Sequence, residues 1–187
     1  MTRIFLCFFL IHGMVFSGKT QPSGNTAEKL QVLLFMSPDC PICQKYMAKL
    51  NAIATDFSTE VTFQGIIPGT PKSKEIRQFI KEYGIKFSVK QDKDNHFVKL
   101  YQPMVTPEVV LLNGHGDIKY QGAIDDWFYE LGKYRHAPEN LYLLDAIRSV
   151  LAGKDPEIRR TEAIGCIIQA DLKGDKMEMD HTKMHHQ

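Results

Sequence analysis

Cysteine is scarce: four residues in a 187-residue chain, at positions 7, 40, 43 and 166. So few thiols, and an odd three once an N-terminal leader carrying Cys7 is gone, exclude a small scaffold stapled by disulfides. Neither sign of charge prevails. Lys and Arg number 23 against 22 Asp and Glu, and the net charge of +1 falls to about zero when Arg3 leaves with the leader. Without clustered basic residues there is no nucleic-acid surface. No apolar run is long enough to span a bilayer comfortably, and no internal repeat is visible. Gln91-Asp92-Lys93-Asp94-Asn95 lacks the glycine and closing glutamate of a calcium loop. What is present is an ordinary globular composition, 43% hydrophobic and 24% charged, sufficient for one domain with appendages.

The N-terminus carries an address. Arg3 precedes the apolar stretch Ile4–Ile11, which resumes after His12-Gly13 through Phe16 and ends on the small residues Ser17 and Gly18. A basic flank, a short apolar core and small residues predict a cleaved export signal over residues 1–18, with a retained anchor as the alternative. Cys7 lies inside the apolar core and is badly placed for a lipid anchor. The expectation is an exported protein, periplasmic or secreted, with no stable membrane insertion after cleavage. Residues 19–29 then form a linker, 30–154 the folded domain, 155–170 an extension containing Cys166, and 171–187 a disordered tail.

The chemistry gathers at Ser37-Pro38-Asp39-Cys40-Pro41-Ile42-Cys43. Gln31–Met36, just before it, is an apolar, β-prone run of strand length. Just after it, Ile42, Tyr46, Leu50, Ile53 and Phe57 recur at helical spacing. Cys40 therefore sits in the first turn of a helix, where unpaired backbone N–H groups and the positive end of the helix dipole favour a thiolate. Cys43 follows on the same face, so the two sulfurs can bridge without moving the backbone. Pro41 suits an early helical position. Asp39 opposes the thiolate. The spacing predicts reversible thiol–disulfide exchange, provided that the Cys40 sulfur is reachable from solvent. The alternative, half of a structural zinc site, wants a second ligand pair that the folded region lacks.

Further along, Val61–Ile67 reads as a strand, Ser73–Tyr83 as a helix ended by Gly84, Phe87–Lys90 as a short strand, and 91–95 as the cap of a brief helix to Tyr101. Met104–Asn113 reads as a strongly apolar strand with Pro107 near its front. Asn113–Asp117 makes a hairpin turn into Ile118–Gly122. Asp125–His136 reads as a loop rich in aromatics and charge, and Leu141, Leu144, Ile147 and Leu151 stripe a last helix. Alternating strands and helices predict an α/β fold with a parallel or mixed sheet.

Two separated motifs, Cys40-Pro41-Ile42-Cys43 and Thr106-Pro107, together resemble the thioredoxin-like superfamily. With Tyr46, Leu50, Glu108-Val109, Tyr120–Asp126, Arg135 and Gly165-Cys166-Ile167-Ile168, residues 31–168 look like the exported bacterial redoxin-domain proteins, relatives of peroxiredoxins and thiol–disulfide reductases. The resemblance implies a central mixed β-sheet flanked by helices, and a cis proline at Pro107 lying against the active-site cysteines. It further implies that the Thr106 backbone holds an extended peptide; Thr106 and Pro107, with Pro41 between the cysteines, form the substrate-binding set. It departs from the family in having little room for extra N-terminal strands and in lacking a peroxidatic motif, since residues 32–38 contain no threonine.

The expected activity is an exported thiol–disulfide oxidoreductase, with Cys40 as nucleophile and Cys43 as the thiol that releases product. Its partners would be disulfide-containing proteins or small thiols and an upstream electron donor or acceptor. No cofactor is implied beyond a redox-active Cys40–Cys43 disulfide. Two alternatives stand beside it: a thiol-dependent peroxidase, and a copper-binding or copper-delivery module. The second draws on the thiols together with Met177, Met179, His181, Met184, His185 and His186, whose thioethers and imidazoles suit copper. Cys166, in an apolar segment, reads first as a buried, inert cysteine and second as a third thiol able to reach the pair. Asp125, Asp126 and Arg135 read equally as a charged cluster near the groove or as a solvated loop, and Trp127 as core cover.

Overall fold

The computed structural model describes residues 29–169. The leader at 1–18, most of the linker and the Met/His tail lie outside the described residues. Five strands build the main sheet: β1 (Leu30–Phe35), β2 (Val61–Pro68), β3 (Ser88–Asp92), β5 (Glu108–Leu112) and β6 (Ile118–Gly122). Their order is β3-β2-β1-β5-β6. β1 pairs parallel with β2 and antiparallel with β5, so the sheet is mixed. Val32 through Met36 are all fully buried. A central strand covered on both faces needs apolar residues at every position, which is why this segment reads as a continuous run rather than an alternation.

The helices are α1 (Pro41–Asp56), α2 (Ser73–Glu82), α3 (His96–Tyr101) and α4 (Tyr142–Leu151). Val32 and Leu34 face a core layer with residues of α1, α2 and α4, while Leu33 and Phe35 face Val98 of α3. α1 buries Ile42, Cys43, Tyr46, Met47 and Leu50, and also Asn51. That amide is fully used: its Nδ2 donates to the Tyr83 and Gly84 carbonyls at 3.1 Å, and its Oδ1 accepts the Lys86 N–H at 3.0 Å. A buried polar side chain satisfied in this way ties the end of α2 to α1.

Two expectations need correction. The apolar segment around Pro107 is not one strand. β4 (Val105–Thr106) and β5 belong to different sheets, and the Thr106–Pro107 bond between them is cis. Proline has no N–H to give a ladder, so the sheet can only restart after it. The aromatic loop contains a hairpin, β7 (Phe128–Glu130) with β8 (Lys133–Tyr134), turned at Gly132 with φ +77°. The extension, to which the sequence reading assigns no element, forms β9 (Cys166–Ile167), which pairs antiparallel with β4, Thr106 facing Cys166. Upstream, the extension is anchored to β6: Gln121 N–H donates to Arg159 O at 3.0 Å and Thr161 N–H to Gln121 O at 3.1 Å. Among the described residues no helix is long and apolar enough to cross a membrane.

Candidate active site at the head of helix α1

Cys40 is the residue at which β1's exit becomes α1. Its backbone is extended (φ −85°, ψ 111°), Pro41 starts the helix, and no side chain caps the end. The first turn contains no acidic residue, so the exposed N–H groups and the dipole act on the Cys40 sulfur. Cys40 Sγ lies 3.0 Å from the Thr106 carbonyl and 2.8 Å from Cys166 Sγ. All three described cysteines are free.

The thiols differ sharply in acidity. Cys40 is lowered to about 5, chiefly by a hydrogen bond from Cys43 and then, against the cost of burial, by one from Cys166 and by the backbone N–H groups of both. Burial pushes Cys43 well above the ordinary thiol value, and the neighbouring Cys40 charge adds to the rise. Cys166 is pushed up to about 12 by burial, then by donating to Cys40 and by the cost of a second negative charge. At neutral pH the trio therefore holds one anion, on Cys40, with the other two sulfurs donating to it. When protonated, Cys40 donates instead to Thr106 O.

The surroundings differ from the expected open site. Cys40 is 1% exposed and Cys43 is fully buried. Thr106 and Pro107 are buried, whereas Pro41 and Asp39 face solvent. The cover is the extension. Ile168 N–H donates to Met104 O at 3.1 Å, Cys166 pairs with Thr106, and a Cβ on Gly165 would stand 2.2 Å from the Thr106 carbonyl oxygen. Only glycine permits so close an approach between the two backbones. Cys166, expected to be buried apart from the pair, is instead half-buried and touches Cys40.

The remaining residues sort themselves by contact. Asp125 is buried; its carboxylate accepts Tyr46 O–H at 2.5 Å and Trp127 N–H at 2.9 Å and pairs with Lys49. Burial and then Asp125 push Tyr46 up, holding its hydroxyl protonated. Asp126 accepts the Glu139 and Asn140 N–H groups at 2.8 and 3.1 Å, and Arg135 Nε donates to Asp126 O at 3.1 Å. In place of either one cluster or a solvated loop there are two separate clasps: Asp125 on α1, Asp126 on the approach to α4. Trp127 packs edge-on against Tyr46, ring centroids 5.3 Å apart, and donates from Nε1 to Arg135 O. Glu108, which sequence reasoning named only within the resemblance, has a role of its own: its buried carboxylate accepts Met104 N–H at 2.8 Å and Gln121 Nε2–H at 2.9 Å, bracing the turn at Pro107.

A cysteine pair opening a helix after the central strand of a mixed sheet, faced by a cis X–Pro segment, defines a thioredoxin-like protein. Solved structures agree on the fold. A hypothetical protein of Sinorhizobium meliloti superposes with a TM-score of 0.68 at 23% identity, covering 78% of this chain and 82% of its own. An uncharacterized conserved protein of Geobacillus kaustophilus gives 0.67 at 19%, covering 78% and 79%. A thioredoxin candidate from Neisseria meningitidis gives 0.54 at 24%, covering 70% and 79%. No functionally curated protein matches the chain. The chain belongs to the AhpC/TSA family, whose model matches residues 17–121. Membership supports thiol-based redox chemistry. The match ends at Gln121, ahead of α4 and of the whole extension that carries Cys166.

Proposed function

We propose that this protein is an exported thiol–disulfide oxidoreductase acting on disulfides of proteins or small molecules through Cys40 and Cys43. The observation that carries the reading is the contrast between these two sulfurs on one helical turn: an acid Cys40 beside Thr106 and Pro107, and a buried, neutral Cys43 behind it. Cys40 thiolate attacks one sulfur of a substrate disulfide. A Cys40–substrate bond forms, and the other substrate sulfur leaves as a thiolate and takes a proton. Cys40 has then lost its charge, so the charge repulsion that helped to hold Cys43 protonated is gone. Cys43 gives up its proton and attacks Cys40, releasing the second substrate thiol and leaving a Cys40–Cys43 disulfide. Two electrons have passed from the pair to the substrate; run backwards, the steps oxidise a dithiol.

The test is trapping. With Cys43→Ser, and Cys166→Ser in the same chain to remove the other neighbouring thiol, Cys40 mixed disulfides should accumulate with a disulfide-containing protein such as insulin. If none form, while Cys40→Ser reduces insulin at the wild-type rate, the nucleophile is misassigned. Peroxide consumption with dithiothreitol, faster than insulin reduction, would favour the peroxidase alternative instead.

A further inference from the structure

With the extension in place, Cys166 is the one residue of the trio that is not fully buried. Cys40 and Cys43 are sealed, and Thr106 and Pro107 lie under β9. The packing is built rather than incidental. β9 pairs with β4, Gly165 is the one residue type that fits against Thr106 O, and the segment is pinned upstream where the Thr161 hydroxyl meets Tyr120 O–H at 2.6 Å and accepts Ala123 N–H at 2.9 Å. Ile164 and Cys166 pack on the main core. Between Ile164, Pro107, Tyr46 and Asp125 only about 10 Å³ is left, no more than the room one water occupies. The extension thus occupies, as a strand, the place where an extended substrate would pair, and it delivers a thiol to the nucleophile.

We propose that Cys166 is a third redox-active thiol of this site, which takes Cys40 over from Cys43 by exchange and gives external small thiols their way into the buried pair. The inference rests on the reading of Cys40–Cys43 as an exchange pair. Starting from the Cys40–Cys43 disulfide, Cys166 attacks Cys40 Sγ. The Cys40–Cys166 bond forms, the Cys40–Cys43 bond breaks, and the proton from Cys166 passes to Cys43; no electron leaves the chain. An external thiolate then attacks the sulfur of Cys166, the half-buried residue of the three. Cys40 departs as the thiolate, the better leaving group of the two because it is the more acidic. A second external thiol releases Cys166, taking up its partner as a disulfide; Cys166 regains a proton, and the two electrons now reside in the protein. Substrate peptide and β9 compete for the same Thr106 backbone, so β9 leaves when a protein substrate docks and returns when the product has gone.

The experiment oxidises the reduced full-length chain with one equivalent of diamide and maps disulfides by mass spectrometry without reduction. Cys43→Ser should form an intramolecular Cys40–Cys166 disulfide nearly completely, and the wild type should show both Cys40–Cys43 and Cys40–Cys166 linkages. Gly165→Val, which drives β9 off Thr106, should lose the Cys40–Cys166 linkage and keep Cys40–Cys43. Reduction of the oxidised protein by glutathione should be at least about tenfold slower in Cys166→Ser than in wild type. Cys40 and Cys166 both still free in Cys43→Ser after oxidation, or equal reduction rates with and without Cys166, would overturn the inference. Failure of Cys166→Ser to form Cys40–Cys43 would instead sink the underlying exchange pair.

Discussion

The acidity of Cys40 dictates how the reduction potential should change with pH. Reduction of a disulfide takes up two electrons and, when both product thiols are neutral, two protons. Cys40 is lowered from 9.0 to about 5, while both thiols able to pair with it, Cys43 and Cys166, are raised. Above pH 5, therefore, reduction takes up only one proton, and the potential should fall by about 30 mV per pH unit rather than about 60. The same shift stabilises the reduced form at pH 7 by two tenfold factors, which makes the pair about 60 mV more oxidising than one with ordinary thiols. Equilibration with glutathione buffers from pH 4.5 to 8.5, followed by acid quench and alkylation, measures both quantities. The plot should bend near pH 5 and run shallow above it, whichever of the two partners holds Cys40. A slope near 60 mV per unit sustained from pH 5.5 to 8 would refute the thiolate assignment and with it the hydrogen bonds said to cause it.

Two further outcomes follow from the same contacts. Because the folded value of Cys40 is depressed, its stabilising effect is complete above the unfolded value near 9 and is lost as pH falls through about 5. The reduced wild type should therefore gain on Cys40→Ser by up to about 1.4 kcal/mol per pH unit between those limits; urea denaturation at pH 5.5 and 8 reads it, and a constant difference contradicts it. Asp125→Ala strands Tyr46 O–H, Trp127 N–H and Lys49. Discounted for the 32% exposure of the Lys49 side chain, the loss should be about 2–3 kcal/mol, with Asp125→Asn recovering part of it. An Ala variant as stable as wild type would show that the clasp contributes nothing.

The strand-to-helix junction was legible because its signals are local: an uninterrupted apolar β1, helical spacing from Ile42 onward, and proline where a helix begins. The α/β class followed from the alternation of such segments. What escaped were contacts that periodicity does not encode. Two-residue strands such as β4 and β9 carry no pattern of their own; Cys166 looked buried because Ile164 and Ile167 flank it, yet Ile167 is 79% exposed and the cysteine, half-buried, faces Thr106. The β7–β8 hairpin hid in a segment whose aromatics pack on Tyr46 rather than alternate across a sheet. Asp125 and Asp126, adjacent in sequence, point to different parts of the fold, a divergence that depends on where α1 and α4 end up. Gly165 left one hint, a glycine next to a cysteine, whose meaning needed the Thr106 carbonyl beside it.

Placing the most acidic sulfur beneath a strand held by few backbone hydrogen bonds separates willingness to react from opportunity. Alkylating reagents such as iodoacetamide will see Cys40 only during the fraction of time that the segment lifts, so each 1.4 kcal/mol of docking energy slows modification tenfold without altering the thiolate itself. Labelling kinetics then becomes a gauge of latch strength, and a chain shortened before the latch would look far more reactive than the protein is.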